Sequence, residues 1–218
     1  MKDLIVACVR TGTVYPFGYV TKLRNMVARH LKIPHTLVCL TDQPERCDGV
    51  AFIDVSAIGL TGWWAKMLLF EPKWRYNSKV IYIDLDSVVI DNIGALAVIP
   101  GEFSICENFT RLLTNPDYPC KYNSSVMVIG AGMGNFIWSA FDRKRSTLMA
   151  THARHGDQKC IEELYPSAQF LQRMLPEDFF CNYRQLTNHP PKKASIINFG
   201  GNHKPANCPI PWVQEAWQ

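Results

Sequence analysis

Apolar residues come in short runs broken by polar punctuation, and the period of each run predicts its element. Leu4-Ile5-Val6-Ala7-Cys8-Val9 is apolar at every position, the pattern of a strand buried on both faces. A turn-rich stretch, 11–18, follows. Tyr19, Leu23, Met26, Val27, His30 and Leu31 then recur at helical spacing, with Lys22, Arg24 and Arg29 between them. Strands are expected at 36–40, 50–55 and 79–83, and again at 103–106, 125–129 and 194–199. Helices are expected at 62–70, where Pro72 closes the run, and at 136–141, 157–164 and 167–175. The tail reads as a Gly/Pro-rich loop ending in Pro211-Trp212-Val213-Gln214-Glu215-Ala216-Trp217.

Strand and helix alternate in the first part of the chain. That order implies an α/β fold with a mainly parallel sheet and helices on both faces. At 218 residues, 47% of them hydrophobic, the chain suits one domain, 1–218, around one sizeable core. In such sheets ligands bind at the carboxyl ends of the strands, where Arg10, Asp42, Asp84 and Asp86 fall. The net charge of +4 is a mild excess. Its densest run, Arg143-Lys144-Arg145, reads as the solvated end of a helix, so nucleic acid is not an expected partner. Met1-Lys2-Asp3 leads straight into the first strand with no signal-peptide pattern, and no apolar run approaches a membrane span. The eight cysteines are scattered without a CxxC pair. A cytoplasmic location is therefore expected, with no transmembrane segment.

The sharpest signal is a β-branched strand that runs into Asp84-Leu85-Asp86. In extended chain, residues two apart point the same way, so both carboxylates can reach one hard cation. Mg²⁺ and Mn²⁺ take oxygen ligands and commonly bridge carboxylates to substrate phosphates. Two enzyme classes use such an element. One is the GT-A glycosyltransferases, whose DxD motif holds the metal on a donor diphosphate. The other is the haloacid-dehalogenase-like phosphatases, whose pattern Asp84-Leu85-Asp86-Ser87-Val88 also matches, with the first Asp as nucleophile. That motif normally opens its fold on the first strand, and here three expected strands precede it.

Further segments accompany the carboxylates, in this order: Val6-Ala7-Cys8-Val9-Arg10 leading to Tyr15; Gly62-Trp63-Trp64-Ala65-Lys66; Tyr122-Asn123-Ser124-Ser125-Val126-Met127-Val128; Gly156-Asp157-Gln158; and Ile196-Ile197-Asn198-Phe199-Gly200-Gly201-Asn202-His203-Lys204-Pro205. As an ordered set they resemble the retaining GT-A enzymes of glycosyltransferase family eight, the glycogenin-like and galactosyltransferase-like group. The resemblance covers most of the chain. Leu175-Pro176 followed by Phe180-Cys181-Asn182 supports it.

The resemblance implies a single GT-A domain with a Rossmann-like mixed central sheet and helices on both faces, which transfers a hexose, with retention, from a nucleotide diphosphate sugar. A UDP-sugar is the expected donor, and the acceptor is a glycan, a lipid-linked sugar or a protein. It implies nucleotide contacts from Arg10, Thr11, Tyr15 and Asp42. Lys66 comes near the donor sugar, and Asn123 and Ser124 bind its hydroxyls. Asp157 and Gln158 lie beside the anomeric carbon. Gly201 and Lys204 bind the diphosphate. Asp84 and Asp86 hold Mn²⁺ or Mg²⁺, and Asp84 and Leu85 also contact the donor nucleotide. Ser125 stands where the family has Gly, Asn198 where it has a metal-binding His, and Ala206 where it has Trp. The third metal ligand is then Asn198, His203 or water. The same departures leave open a sugar-nucleotide-binding module without activity.

Overall fold

The computed structural model describes residues 4–218. The expectation about a leader rested on Met1, Lys2 and Asp3 and lies outside them. Seven strands form the central sheet: β1 (Leu4–Arg10), β2 (Thr36–Thr41), β3 (Val50–Asp54), β4 (Lys79–Ile83), β6 (Phe103–Glu107), β7 (Tyr122–Ile129) and β8 (Gln169–Phe170), in the order β3-β2-β1-β4-β7-β6-β8. A small second sheet holds β5 (Ser87–Val89), β10 (Ile196–Asn198) and β9 (Phe180–Asn182), in that order.

Strands β3, β2, β1 and β4 run parallel, as the alternation predicts. β7 is antiparallel to both β4 and β6, so the sheet is mixed, as expected for a GT-A domain, with its parallel part first in the chain. Alternation along each strand splits the core into two layers. Leu4, Val6 and Cys8 face the helix Gly18–His30, the small sheet and the C-terminal helix. Ile5, Ala7 and Val9 face a layer containing residues from Gly62–Phe70, Phe136–Arg143 and Gly156–Leu164.

Two expectations are corrected. Residues 167–175 are not a helix. Gln169 and Phe170 pair with Ser104 and Ile105 to extend the sheet, and only Leu171–Arg173 coils, as a 3-10 turn. The unsatisfied edge of β6 recruits them, overriding local propensity. The tail is not a loop: Pro211–Ala216 is a helix with proline in its first turn, and Val213 and Trp217, four apart, are buried against the core. Gly62–Phe70 is helical, as expected, and its type is 3-10. Among the described residues no helix is long and apolar enough to cross a membrane.

Candidate active site

β4 carries Asp84 out of the core. Its last ladder bond runs from the Asp84 N–H to the Ser125 carbonyl at 2.8 Å. The chain then turns, with the Ser87 N–H closing on the Asp84 carbonyl at 3.0 Å, and enters β5. The carboxylates therefore sit on a tight turn, not on extended chain as the spacing argument assumed. The cause is topological, because here the chain leaves the large sheet for the small one. Both still line one cavity of about 900 Å³, bordered by Thr11 just past β1, by Asn182 and Asn198 at the ends of β9 and β10, and by the Gly-rich loop beyond.

Each carboxylate has its own lysine. Lys66 Nζ lies 2.8 Å from Asp84 Oδ1 and 2.9 Å from Oδ2, and donates to the Ser124 hydroxyl at 3.2 Å. Tyr82 donates its hydroxyl to Asp84 as well. Lys204 Nζ donates to Asp86 Oδ2 at 2.6 Å and to the Tyr15 hydroxyl at 2.9 Å, and that hydroxyl donates to Asp86 at 2.9 Å. Gly201, at φ +60°, allows the turn in which the His203 N–H reaches the Gly200 carbonyl, and this turn brings Lys204 over Asp86.

These contacts set the charges. Burial pushes the Asp84 carboxyl up; Lys66 pulls it back and Asp86 raises it, leaving it at about 6. Burial alone would lower Lys66, but Asp84, Asp157 and Asp86 outweigh it and hold the ammonium charged. Burial also raises the Asp157 carboxyl, against Lys66. Burial, with Asp86 and Asp84, keeps Tyr15 protonated as a donor.

Three buried side-chain oxygens that line the cavity lack a partner among the described residues: Thr11 Oγ1, Asp157 Oδ2 and Asn198 Oδ1. Orphans of this kind mark places where a ligand completes the hydrogen bonding. Two carboxylates and a free amide oxygen are the donor types that Mg²⁺ and Mn²⁺ accept, so the residues fit such an ion. Among the described residues no three His, Cys, Asp or Glu side chains group as a metal cluster. His203 lines the cavity but stacks on Tyr183, ring centroids 4.4 Å apart.

Leu85, Asn123, Ser124, Asp157, Gln158 and Gly201 also line the cavity, as do Lys66, Lys204, Thr11 and Tyr15. Arg10 and Asp42 do not. Arg10 turns to the backbone carbonyls of Tyr15 (3.0 Å) and Gln43 (3.2 Å) and to Glu45 (2.9 Å), while Asp42 accepts from the Gly12 N–H at 2.9 Å. Both shape the loop that presents Thr11 and Tyr15.

Sequence reasoning missed Trp63, Tyr118, Arg154, His155, Tyr183 and Arg184, all of which line the cavity. Trp64 is buried in the core, but Trp63 is 53% exposed. In a 3-10 helix side chains three apart eclipse, which puts Trp63 on the cavity side with Lys66. The signal for Trp63 was Gly156: its φ is +67°, and a Cβ there would meet the indole at 3.0 Å.

The fold is that of the GT-A glycosyltransferases. The galactosyltransferase LgtC, in complex with donor and acceptor sugar analogs, superposes with a TM-score of 0.66 at 12% identity, covering 97% of this chain and 93% of LgtC. GlyE from Streptococcus pneumoniae superposes at 0.65 with 16% identity, covering 99% of this chain and 60% of GlyE. The bifunctional glycosyltransferase WbbM superposes at 0.62 with 16% identity over 99% of this chain. The chain spans 51% of WbbM, about half of its length. The sequence matches no protein-family model and no curated protein sequence.

Proposed function

We propose that this chain is a GT-A hexosyltransferase that takes a hexose from a nucleotide diphosphate sugar, with UDP as the nucleotide, and passes it with retention to a glycan, a lipid-linked sugar or a protein. The observation that carries this reading is the Asp84-Leu85-Asp86 turn at the mouth of β4, lysine-matched and lining the same cavity as the unpartnered Asn198 oxygen. Asp84 and Asp86 hold Mn²⁺ or Mg²⁺. Such an ion supplies Lewis-acid charge to the leaving diphosphate.

The chain's own groups do the rest. Lys66 and Lys204 bring two ammoniums to the leaving oxygens, and the N–H groups of the turn at Gly201 add dipoles. Asn123 accepts from the Ser125 N–H through its Oδ1 (3.2 Å), so its amide nitrogen is left to donate to a sugar hydroxyl. Asp157, with its unpartnered Oδ2, accepts from a hydroxyl and orients it, and Gln158 stands by the reacting carbon. The phosphatase alternative needs a free nucleophilic carboxylate. Asp84 has both oxygens on Lys66 and one on Tyr82, and it follows the fourth strand rather than the first.

Titration calorimetry with UDP tests the reading. Affinity is expected to rise with Mn²⁺ or Mg²⁺ over EDTA, and Asp86→Ala is expected to remove the gain. Equal affinity with metal and with EDTA would sink it. Hydrolysis of a UDP-sugar in the presence of Mn²⁺ separates an enzyme from a binding module.

A further inference from the structure

A short hydrogen-bond chain decides which way the Asn198 amide faces. The Ser125 backbone N–H can only donate, and it donates to Asn123 Oδ1 at 3.2 Å. The Ser125 hydroxyl lies close to that same oxygen, so its single proton must sit between them. Ser125 Oγ is thereby left as an acceptor, and the Asn198 group 2.8 Å away must be the amide nitrogen. The Asn198 side-chain oxygen is then the atom without a partner, on a residue only 1% exposed that lines the cavity with Asp84 and Asp86. The backbone is equally fixed. Asn198 pairs with Ser87, the residue after Asp86, across the β5–β10 ladder, and its carbonyl accepts from Asn182 Nδ2.

We propose that Ser125 sets Asn198 as a third, amide-oxygen ligand beside Asp84 and Asp86, so that the protein's ligands to the cation are all oxygen and the site favours hard ions such as Mg²⁺. The proposal rests on the reading that these two aspartates hold a divalent ion. Asn198 is the ligand and Ser125 a positioning residue that acts through it. A buried amide oxygen without a donor is costly to leave unpaired, and a hard cation satisfies it without a proton. Oxygen-only sites discriminate weakly along the first-row divalent series, whereas an imidazole steepens the preference toward later metals.

The test is calorimetric titration of the full chain, saturated with UDP, with MgCl₂, MnCl₂ and CoCl₂. Ser125→Ala is expected to weaken all three ions about tenfold, the scale of a lost outer-shell partner, and Asn198→Ala, which removes the ligand itself, by at least as much. Ser125→Thr keeps the hydroxyl and is expected to bind as wild type. Asn198→Asp keeps the oxygen and adds charge, so it binds at least as tightly. Asn198→His is expected to raise the ratio of Co²⁺ to Mg²⁺ affinity by about tenfold or more. Wild-type binding in Ser125→Ala, or an unchanged ratio in Asn198→His, overturns the proposal. If Asn198→Ala misfolds, the Asp and His variants decide. Loss of binding in Asp86→Asn with none in Asn198→Ala removes only the third ligand. A wild type that binds no divalent ion removes the metal-dependent reading as well.

Discussion

Gly156 does two jobs at one Cα, holding a left-handed backbone and making room for the Trp63 indole beside Asp157. Gly156→Ala is expected to lose about 1–3 kcal/mol, since left-handed backbone strain and the displaced ring add. Urea unfolding followed by tryptophan fluorescence measures the loss, while metal-dependent UDP affinity stays near wild type. At this scale the sequence revealed chemistry better than contacts. Asp84 and Asp86 were legible because carboxylates at the end of an apolar strand need a reason, whereas Lys66, Asp157 and Lys204 were picked out only through the family resemblance; all five line one cavity. The link between Ser125 and Asn198 was not legible, because it spans 73 residues and joins two sheets. Along the chain these two positions read as separate departures from a family pattern. In the fold they are partners.

The helix Gly156–Leu164 is tied to the start of β7 by one carboxylate. Glu162 accepts from the Lys121 N–H at 2.7 Å and from Lys159 Nζ at 2.8 Å. Burial raises this carboxyl, but the Lys159 and Lys121 bonds outweigh burial and hold it below its ordinary 4.5. A depressed folded-state pKa stabilises fully above 4.5, and that contribution is lost as pH falls through the lower, folded value. Glu162→Gln is therefore expected to cost roughly 1–2 kcal/mol at neutral pH. The gap to wild type should close as pH falls below about 4.5, and denaturant midpoints across that range measure it. Elements with a clear period were legible, and β4 was read end to end. The three-residue strands β5 and β9 carry no period, and β8 exists because a neighbour's edge needs it.

At the level of the whole molecule, the C-terminal helix closes the layer beneath the site. Trp217 is 4% exposed, meets Tyr19 edge-on at 4.7 Å and lies under Lys22 Nζ at 4.2 Å. Tyr19 in turn packs on Tyr15, 5.1 Å away, whose hydroxyl holds Asp86. Trp217→Ala is expected to lose about 3–5 kcal/mol of global stability, read from equilibrium unfolding. The parallel half of the sheet was legible from alternating elements. The antiparallel half was expected only through the family resemblance, because the β4–β7 pairing follows from long-range geometry that no local pattern encodes. The tail was read by its glycines and prolines, which hid the i, i+4 pair Val213 and Trp217.

The two lysines on the aspartates have a thermodynamic consequence. Ionised Asp84, Asp86, Lys66 and Lys204 sum to zero, so the folded chain balances this cluster by itself, and its melting temperature is expected to be indifferent to EDTA. A cation arriving alone would face two ammoniums, and an anion arriving alone would find both already engaged. Arriving together, each releases what the other lacks. Divalent ion and nucleotide diphosphate are therefore expected to bind with positive coupling, each tightening the other by the same factor, on the order of 5–150. The four affinities of a closed thermodynamic box measure that factor, and Lys204→Met, which removes one of the competing charges, should shrink it.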